Sequence, residues 1–154
     1  MVGHSERRIL FGETNEDIVE KMRRLYEQKI EPLLCIGESL EEYRENQIES
    51  VLRRQLEPTF EVMQEHSGGI VYIAYEPVWA IGSGRTPSVE YLELAAVYIR
   101  KIIRQKMPFY KIRVLYGGSV KPENIERIKK IGIFDGFLIG GASLDMQSLE
   151  KIVI

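Results

Sequence analysis

Short apolar runs alternate with longer amphipathic stretches along the whole chain. Thr14-Asn15-Glu16-Asp17 reads as a capping box: a threonine hydroxyl and an acid three residues later take up free amides of a first helical turn. Ile18, Met22 and Leu25 then follow on one face, and the helix is predicted to end near Lys29. Pro32 to Ile36 reads as a strand. Leu40 to about Leu56 carries Ile48, Val51, Leu52 and Leu56 as the buried stripe of a charged helix, which Pro58 disturbs before further turns up to Glu65. After the break at Ser67-Gly68-Gly69, Ile70 to Tyr75 is rich in β-branched and aromatic residues and suits a strand covered on both faces. Thr86 reads as an N-cap with Pro87 at the first helical position. Leu92, Ala95, Ile99, Ile102 and Ile103 line the buried side of the helix that runs to Met107-Pro108. Ile112 to Tyr116, Pro122 to Lys130, Gly136 to Ile139 and Asp145 to Ile152 complete the series as strand, helix, strand and helix.

Four strand-then-helix units thus follow one helix that lacks its own strand. Such alternation implies parallel pairing through right-handed crossovers, in an open doubly wound sheet or a (β/α)8 barrel. Eight units usually take ~250 residues, or ~200 at the low end. At 154 residues, the pattern alone predicts an open four-strand α/β sheet. No linker rich in Pro, Gly or Ser divides it, so residues 1–154 read as one domain.

Composition narrows the function classes. With 21 basic and 23 acidic side chains the net charge is −2, which gives no electrostatic footprint for nucleic acid or an anionic membrane. Lys21-Met22-Arg23-Arg24 and Arg53-Arg54 are interleaved with acids and read as solvated helix faces. No apolar stretch reaches the ~18 residues of a membrane span, and Met1 to Arg8 holds no apolar signal core, so a cytoplasmic location is expected. Cys35 is the one cysteine; within an apolar run it reads as a small core residue rather than a nucleophile.

In parallel α/β folds, ligand sites form beyond the carboxyl ends of the strands. Glu76 stands at such an end, followed by Pro77 and a loop hinged at Gly82 and Gly84. That order suits a buried base beneath a lid, although an acid before a proline is also an ordinary strand end. Tyr116-Gly117-Gly118-Ser119-Val120 and Ile139-Gly140-Gly141-Ala142-Ser143 follow successive strands. Glycine admits a ligand close to the backbone and helix-end amides favour an anion, so the two turns together suit a phosphate. The loop at Gly82 is no nucleotide fingerprint, because Pro87 takes the place of the final glycine and no Gly-Lys-Ser/Thr follows. No metal-binding or nucleophile-elbow motif is present in the sequence, so neither metal nor cofactor is implied. His4 lies in a loop leading toward the first helix and reads either as a catalytic imidazole or as an exposed terminal histidine. His66 reads as a surface residue near a helix end.

Four motifs in order, Gly3-His4-Ser5-Glu6-Arg7-Arg8, Ala74 to Thr86, Tyr116 to Val120 and Leu138 to Leu144, closely resemble the triosephosphate isomerase family. Phe11-Gly12-Glu13-Thr14 and Cys35-Ile36-Gly37-Glu38 fit the same family between them. The resemblance runs essentially the whole length. It implies an incomplete (β/α)8 barrel, from the end of the fourth strand to the eighth helix, with about four βα units after a leading helix. It implies that Glu76 moves a proton between adjacent carbons of dihydroxyacetone phosphate and D-glyceraldehyde 3-phosphate through an enediolate. By the same resemblance, His4 as a neutral imidazole polarises the substrate oxygens, Ser5 and Glu6 support the pair, and Gly82, Ser119, Gly140 and Gly141 hold the phosphate without any cofactor. Arg85 stands where the family usually has lysine and Ser83 where threonine is frequent, which keeps charge and hydroxyl. The family takes an asparagine and a catalytic lysine from its first strand and a dimer contact from the loop after its third, and none of these segments is in this sequence. Glu6 matches the acid that pairs with that lysine and is expected to lack its partner. The expectation is therefore a triose phosphate isomerase that turns over little as an isolated chain, working as a homo-oligomer or with a complementing N-terminal segment. The alternative is a non-catalytic half-barrel that self-associates or only binds phosphate.

Overall fold

The computed structural model describes residues 1–65, 70–81 and 85–153. Four parallel strands, β1 (Leu33–Ile36), β2 (Ile70–Tyr75), β3 (Lys111–Tyr116) and β4 (Gly136–Phe137), lie side by side in chain order. Among the described residues, eight α-helices precede, connect and follow them: α1 (Ser5–Phe11), α2 (Asn15–Glu27), α3 (Leu40–Arg44), α4 (Ile48–Leu56), α5 (Phe60–Glu65), α6 (Val89–Lys106), α7 (Ile125–Ile131) and α8 (Met146–Val153). The result is a parallel α/β sheet of the kind expected from an incomplete (β/α)8 barrel.

Period-two alternation sorts the strand residues. Leu34, Ile36, Val71, Ile73, Tyr75, Val114 and Tyr116 join the core beneath the helices, against Ile18 and Met22 of α2, Leu52 and Leu56 of α4 and Ile99, Ile102 and Ile103 of α6. Each such side chain contributes about 1.5–3 kcal/mol when fully removed from water. On the opposite face Cys35 and Ala74 are fully buried, whereas Leu33, Tyr72, Arg113 and Leu115 are only half-buried. The strands are thus covered completely on one face rather than on both.

The structure departs from the sequence reading at several local points. His4 does not lie in a loop running to the first amphipathic helix, because a separate short helix, α1, starts at Ser5 and closes at Gly12 in the left-handed region (φ 64°). The leading segment also has a trace of its own strand, since Val2 forms a parallel bridge to Leu34, with Val2 N–H to Leu33 C=O and Cys35 N–H to Val2 C=O both at 2.9 Å. The long helix predicted from Leu40 to Leu56 is interrupted at Asn46 (φ 54°), which separates α3 from α4. Pro58 falls in the first turn of a 3-10 helix, Glu57–Thr59, where its missing N–H costs little, and the chain continues into α5. The N-cap of α6 is Ser88 rather than Thr86, its hydroxyl accepting the Tyr91 N–H at 3.2 Å. Helix α7 starts at Ile125, three residues after Pro122, because the Asn124 side chain spends its bonds on the preceding turn, accepting from Lys121 N–H and donating to Ser119 C=O, both at 2.8 Å. Strand β4 stops at Phe137, two residues before Ile139.

Candidate active site

Glu76 leaves the end of β2 where two backbones nearly touch. Its N–H donates to Ile36 C=O at 2.7 Å, and a Cβ on Gly37 would overlap the Glu76 carbonyl, so only glycine fits there. Gly117 at the end of β3 lies beside the Glu76 side chain on the other flank and donates its N–H to Tyr75 C=O at 2.8 Å. Two glycines from neighbouring strands thereby make room for one carboxylate.

That carboxylate is 2% exposed, and both its oxygens are engaged. Oε2 accepts the Ser5 N–H at 3.0 Å, an amide left free by the start of α1. Oε1 lies 3.2 Å from His4 Nε2. His4 is the N-cap of α1, and its Nδ1 accepts the Glu6 N–H at 3.3 Å. A ring nitrogen that accepts carries no proton, so with Nδ1 in this bond the Nε2 position is the one that faces Glu76 as a donor. Burial pushes the Glu76 carboxyl above its ordinary range; the Ser5 N–H, the nearby imidazole and the Cys35 thiol oppose that rise. Burial also raises the Cys35 thiol, with the Glu76 charge adding to it. This is the environment of a buried core thiol rather than a nucleophile.

The Glu76 and His4 side chains open into a cleft of about 630 Å3 that Gly117, Gly118, Ser119, Gly140 and Gly141 also line. Glu6 lines the same cleft and is exposed. Ser119 is half-buried, whereas Gly140 and Gly141 are exposed, with open space where a Cβ would stand. Ser143 closes the second turn by donating both its N–H (2.9 Å) and its hydroxyl (2.7 Å) to Gly140 C=O. Of the candidate residues, His4, Ser5, Glu6, Glu76, Ser119, Gly140 and Gly141 come together at this one end of the sheet. Gly82, Ser83, Gly84, Ser67, Gly68, Gly69 and His66 lie outside the described residues. Among the described residues, no group of three or more His, Cys, Asp or Glu side chains could hold a metal, and no helix is long and apolar enough to cross a membrane.

Sequence reasoning did not single out another buried acid, Glu38, beyond its place in a family motif. It is fully buried just past β1 and accepts hydrogen bonds from Tyr75, Trp79 and Tyr91. Nor did it give Tyr116 a role beyond opening its glycine turn; the hydroxyl is buried with no hydrogen-bond partner among the described residues, beneath Gly118. A tyrosine ending an apolar run before two glycines was the available signal.

The profile of the triosephosphate isomerase family matches residues 1–154, the whole chain. The triosephosphate isomerase of Mycoplasmoides gallisepticum is 42% identical over 156 aligned residues, covering 99% of this chain and 62% of that protein. Those of Alkaliphilus oremlandii (40% identical, 99% and 63% covered) and Hydrogenovibrio crunogenus (42%, 99% and 61%) match in the same way. The chain therefore spans somewhat less than two thirds of the length of these relatives. A profile match from end to end, on a parallel sheet whose strand ends gather the motif residues into one cleft, makes this chain a member of the triosephosphate isomerase family.

Proposed function

We propose that Glu76 and His4 catalyse the interconversion of dihydroxyacetone phosphate and D-glyceraldehyde 3-phosphate, with the phosphate held by backbone amides at Ser119, Gly140 and Gly141 and by Gly82. The observation that carries this reading is the convergence of His4 Nε2 and the Ser5 N–H on one buried carboxylate at the mouth of a glycine-walled cleft. Ionised Glu76 removes a proton from the hydroxymethyl carbon, the C–H electron pair becomes the C=C bond of the enediolate, and the carbonyl π pair moves onto oxygen. His4 Nε2–H donates to that oxygen. The hydroxyl proton of the first carbon passes by way of His4 Nε2 to that oxygen, and protonated Glu76 then returns its proton to the adjacent carbon while the electron pair left on the first oxygen forms the C=O of the aldehyde. A carboxylate raised by burial is a stronger base than one in water, which brings it closer to the weakly acidic carbon it must deprotonate. The helix-capping bond to Nδ1 turns His4 Nε2 toward the cleft.

The same reading gives the chain a cytoplasmic setting and a homo-oligomeric partner or a complementing N-terminal segment that brings the family's lysine and asparagine. A coupled assay that follows the aldehyde product tests it. The chain alone is expected to turn over slowly. Added segment raises the rate, and Glu76→Gln lowers the restored rate by at least ~100-fold, the lower end of general-base contributions. Binding of inorganic phosphate without any Glu76-dependent turnover, alone or complemented, identifies the non-catalytic half-barrel instead.

A further inference from the structure

Glu38 binds the segment that carries Glu76 from both sides. Its carbonyl accepts the Val78 N–H at 3.1 Å, and its carboxylate accepts the Tyr75 hydroxyl (3.0 Å to each oxygen) and the Trp79 indole N–H (2.7 Å to Oε1). One residue thus holds positions 75, 78 and 79 around Glu76 and Pro77. A third side-chain donor arrives from another element, as the Tyr91 hydroxyl in the first turn of α6 reaches the same Oε1 at 3.1 Å. The rings enclose the indole: Tyr43 stacks on Trp79 with centroids 4.1 Å apart, and Tyr91 meets Tyr43 and Trp79 edge-on at 5.0 and 5.9 Å. An acceptor shared by three donors orients each of them more firmly than separate bonds would.

We propose that Tyr91 is a positioning residue for Glu76, tying α6 to the Glu38 carboxylate so that the turn from Tyr75 to Trp79 is fixed and Glu76 keeps its contacts to Ser5 and His4. The proposal rests on the functional reading of Glu76 above, and goes beyond it by assigning a task to a residue that borders no substrate. Removal of the hydroxyl leaves Glu38 Oε1 with two donors and lets the Trp79 ring turn within its aromatic box. Trp79 stands three residues after Glu76, within the 3-10 turn Val78–Ala80 that Pro77 caps, so the loss is felt at the carboxylate.

Nuclear magnetic resonance on the ligand-free chain tests this, because its single tryptophan gives one indole signal. In Tyr91→Phe the Trp79 indole resonance and the Ser5 amide proton are both expected to move, the latter upfield as its bond to Glu76 weakens. The preference for phosphoglycolate, whose carboxylate would share a proton with Glu76, over inorganic phosphate is expected to fall by about ten-fold, with inorganic phosphate affinity unchanged. Tyr98→Phe, elsewhere on α6, leaves all signals in place. Glu38→Gln repeats the test from the acceptor side, with a larger displacement expected. An unmoved Ser5 amide in both Tyr91→Phe and Glu38→Gln overturns the proposal, even where the indole shifts. A wild-type chain that binds phosphoglycolate no better than inorganic phosphate overturns the functional reading instead, and the ligand-free Ser5 signal still decides the role of Tyr91.

Discussion

Across the cleft from Glu76, which has both carboxylate oxygens bonded and is almost fully buried, Gly140 and Gly141 are exposed and have open space around them. The first wall is built from the ends of β1 and β2, joined by four residue pairs and crossed by the Glu38 cluster. The second hangs on β4, a strand of two residues, followed by a 3-10 turn in which no residue is buried. The wall that carries Glu76 is therefore set in place by folding, and the glycine wall has few buried contacts of its own to hold it. Local stability follows buried contact, so the two walls are expected to respond to the same kind of mutation in opposite ways.

The largest contrast is expected at glycines. Gly37→Ala places a methyl into the Glu76 carbonyl and forces the ends of β1 and β2 apart. It should cost about 3 kcal/mol or more, at the upper end for overpacking, and chemical denaturation would measure it. Asp135→Ala weakens the attachment of the second wall. The carboxylate of Asp135 accepts the Val114 N–H at 2.8 Å and pairs with Arg100 at 2.7 Å and Arg113 at 3.0 Å. Its loss should cost about 1.5–3 kcal/mol, the range for hydrogen bonds to charged groups. Burial opposes ionisation of Asp135, but these three partners outweigh it and hold its carboxyl below the ordinary range. Its stabilisation is thus present above the ordinary aspartate range and fades as the pH falls through the lower folded value, so the gap between wild type and Asp135→Ala should close in strong acid.

Glu76→Gln should move stability the other way. A carboxyl raised by burial loses its proton more readily in the unfolded chain, so its cost begins above the ordinary glutamate range and is complete above the folded value. The variant is expected to melt higher than wild type near neutral pH and at the same temperature in mild acid, each unit of displacement being worth about 1.4 kcal/mol. The smallest effect on stability belongs to Gly140→Ala, which meets open space and should stay within about 0.5 kcal/mol of wild type. Calorimetric titration with inorganic phosphate should nevertheless find weaker binding, because the new methyl occupies the approach to the turn.

Much of this architecture was legible in the chain because it is local. The Thr14–Asp17 capping box forms in full, with Asp17 N–H to Thr14 Oγ1 at 3.2 Å and Thr14 N–H to Asp17 Oδ2 at 2.9 Å. The stripe from Leu92 to Ile103 is buried on α6 as its spacing requires. Glu76 and the glycine turns were marked by their position after apolar runs. What escaped is what distance in sequence conceals. The helix α1 has no apolar stripe to announce it, since Ile9, Leu10 and Phe11 are all exposed. Gly37 is demanding only because Glu76, far along the chain, passes beside it, and the donors to Glu38 are spread from Tyr75 to Tyr91. The cap at Ser88 displaced the one read at Thr86 because two hydroxyl residues flank Pro87, and spacing alone does not choose between them.

Cys35, wholly covered beneath the face of the sheet that the helices leave free, gives the molecule an internal clock. Alkylating reagents reach a thiol in this position only when β1 parts from its neighbours, and with one thiol in the chain every modified molecule records a single such event. The speed of labelling thus reads how often the wall that carries Glu76 opens, without any substrate present.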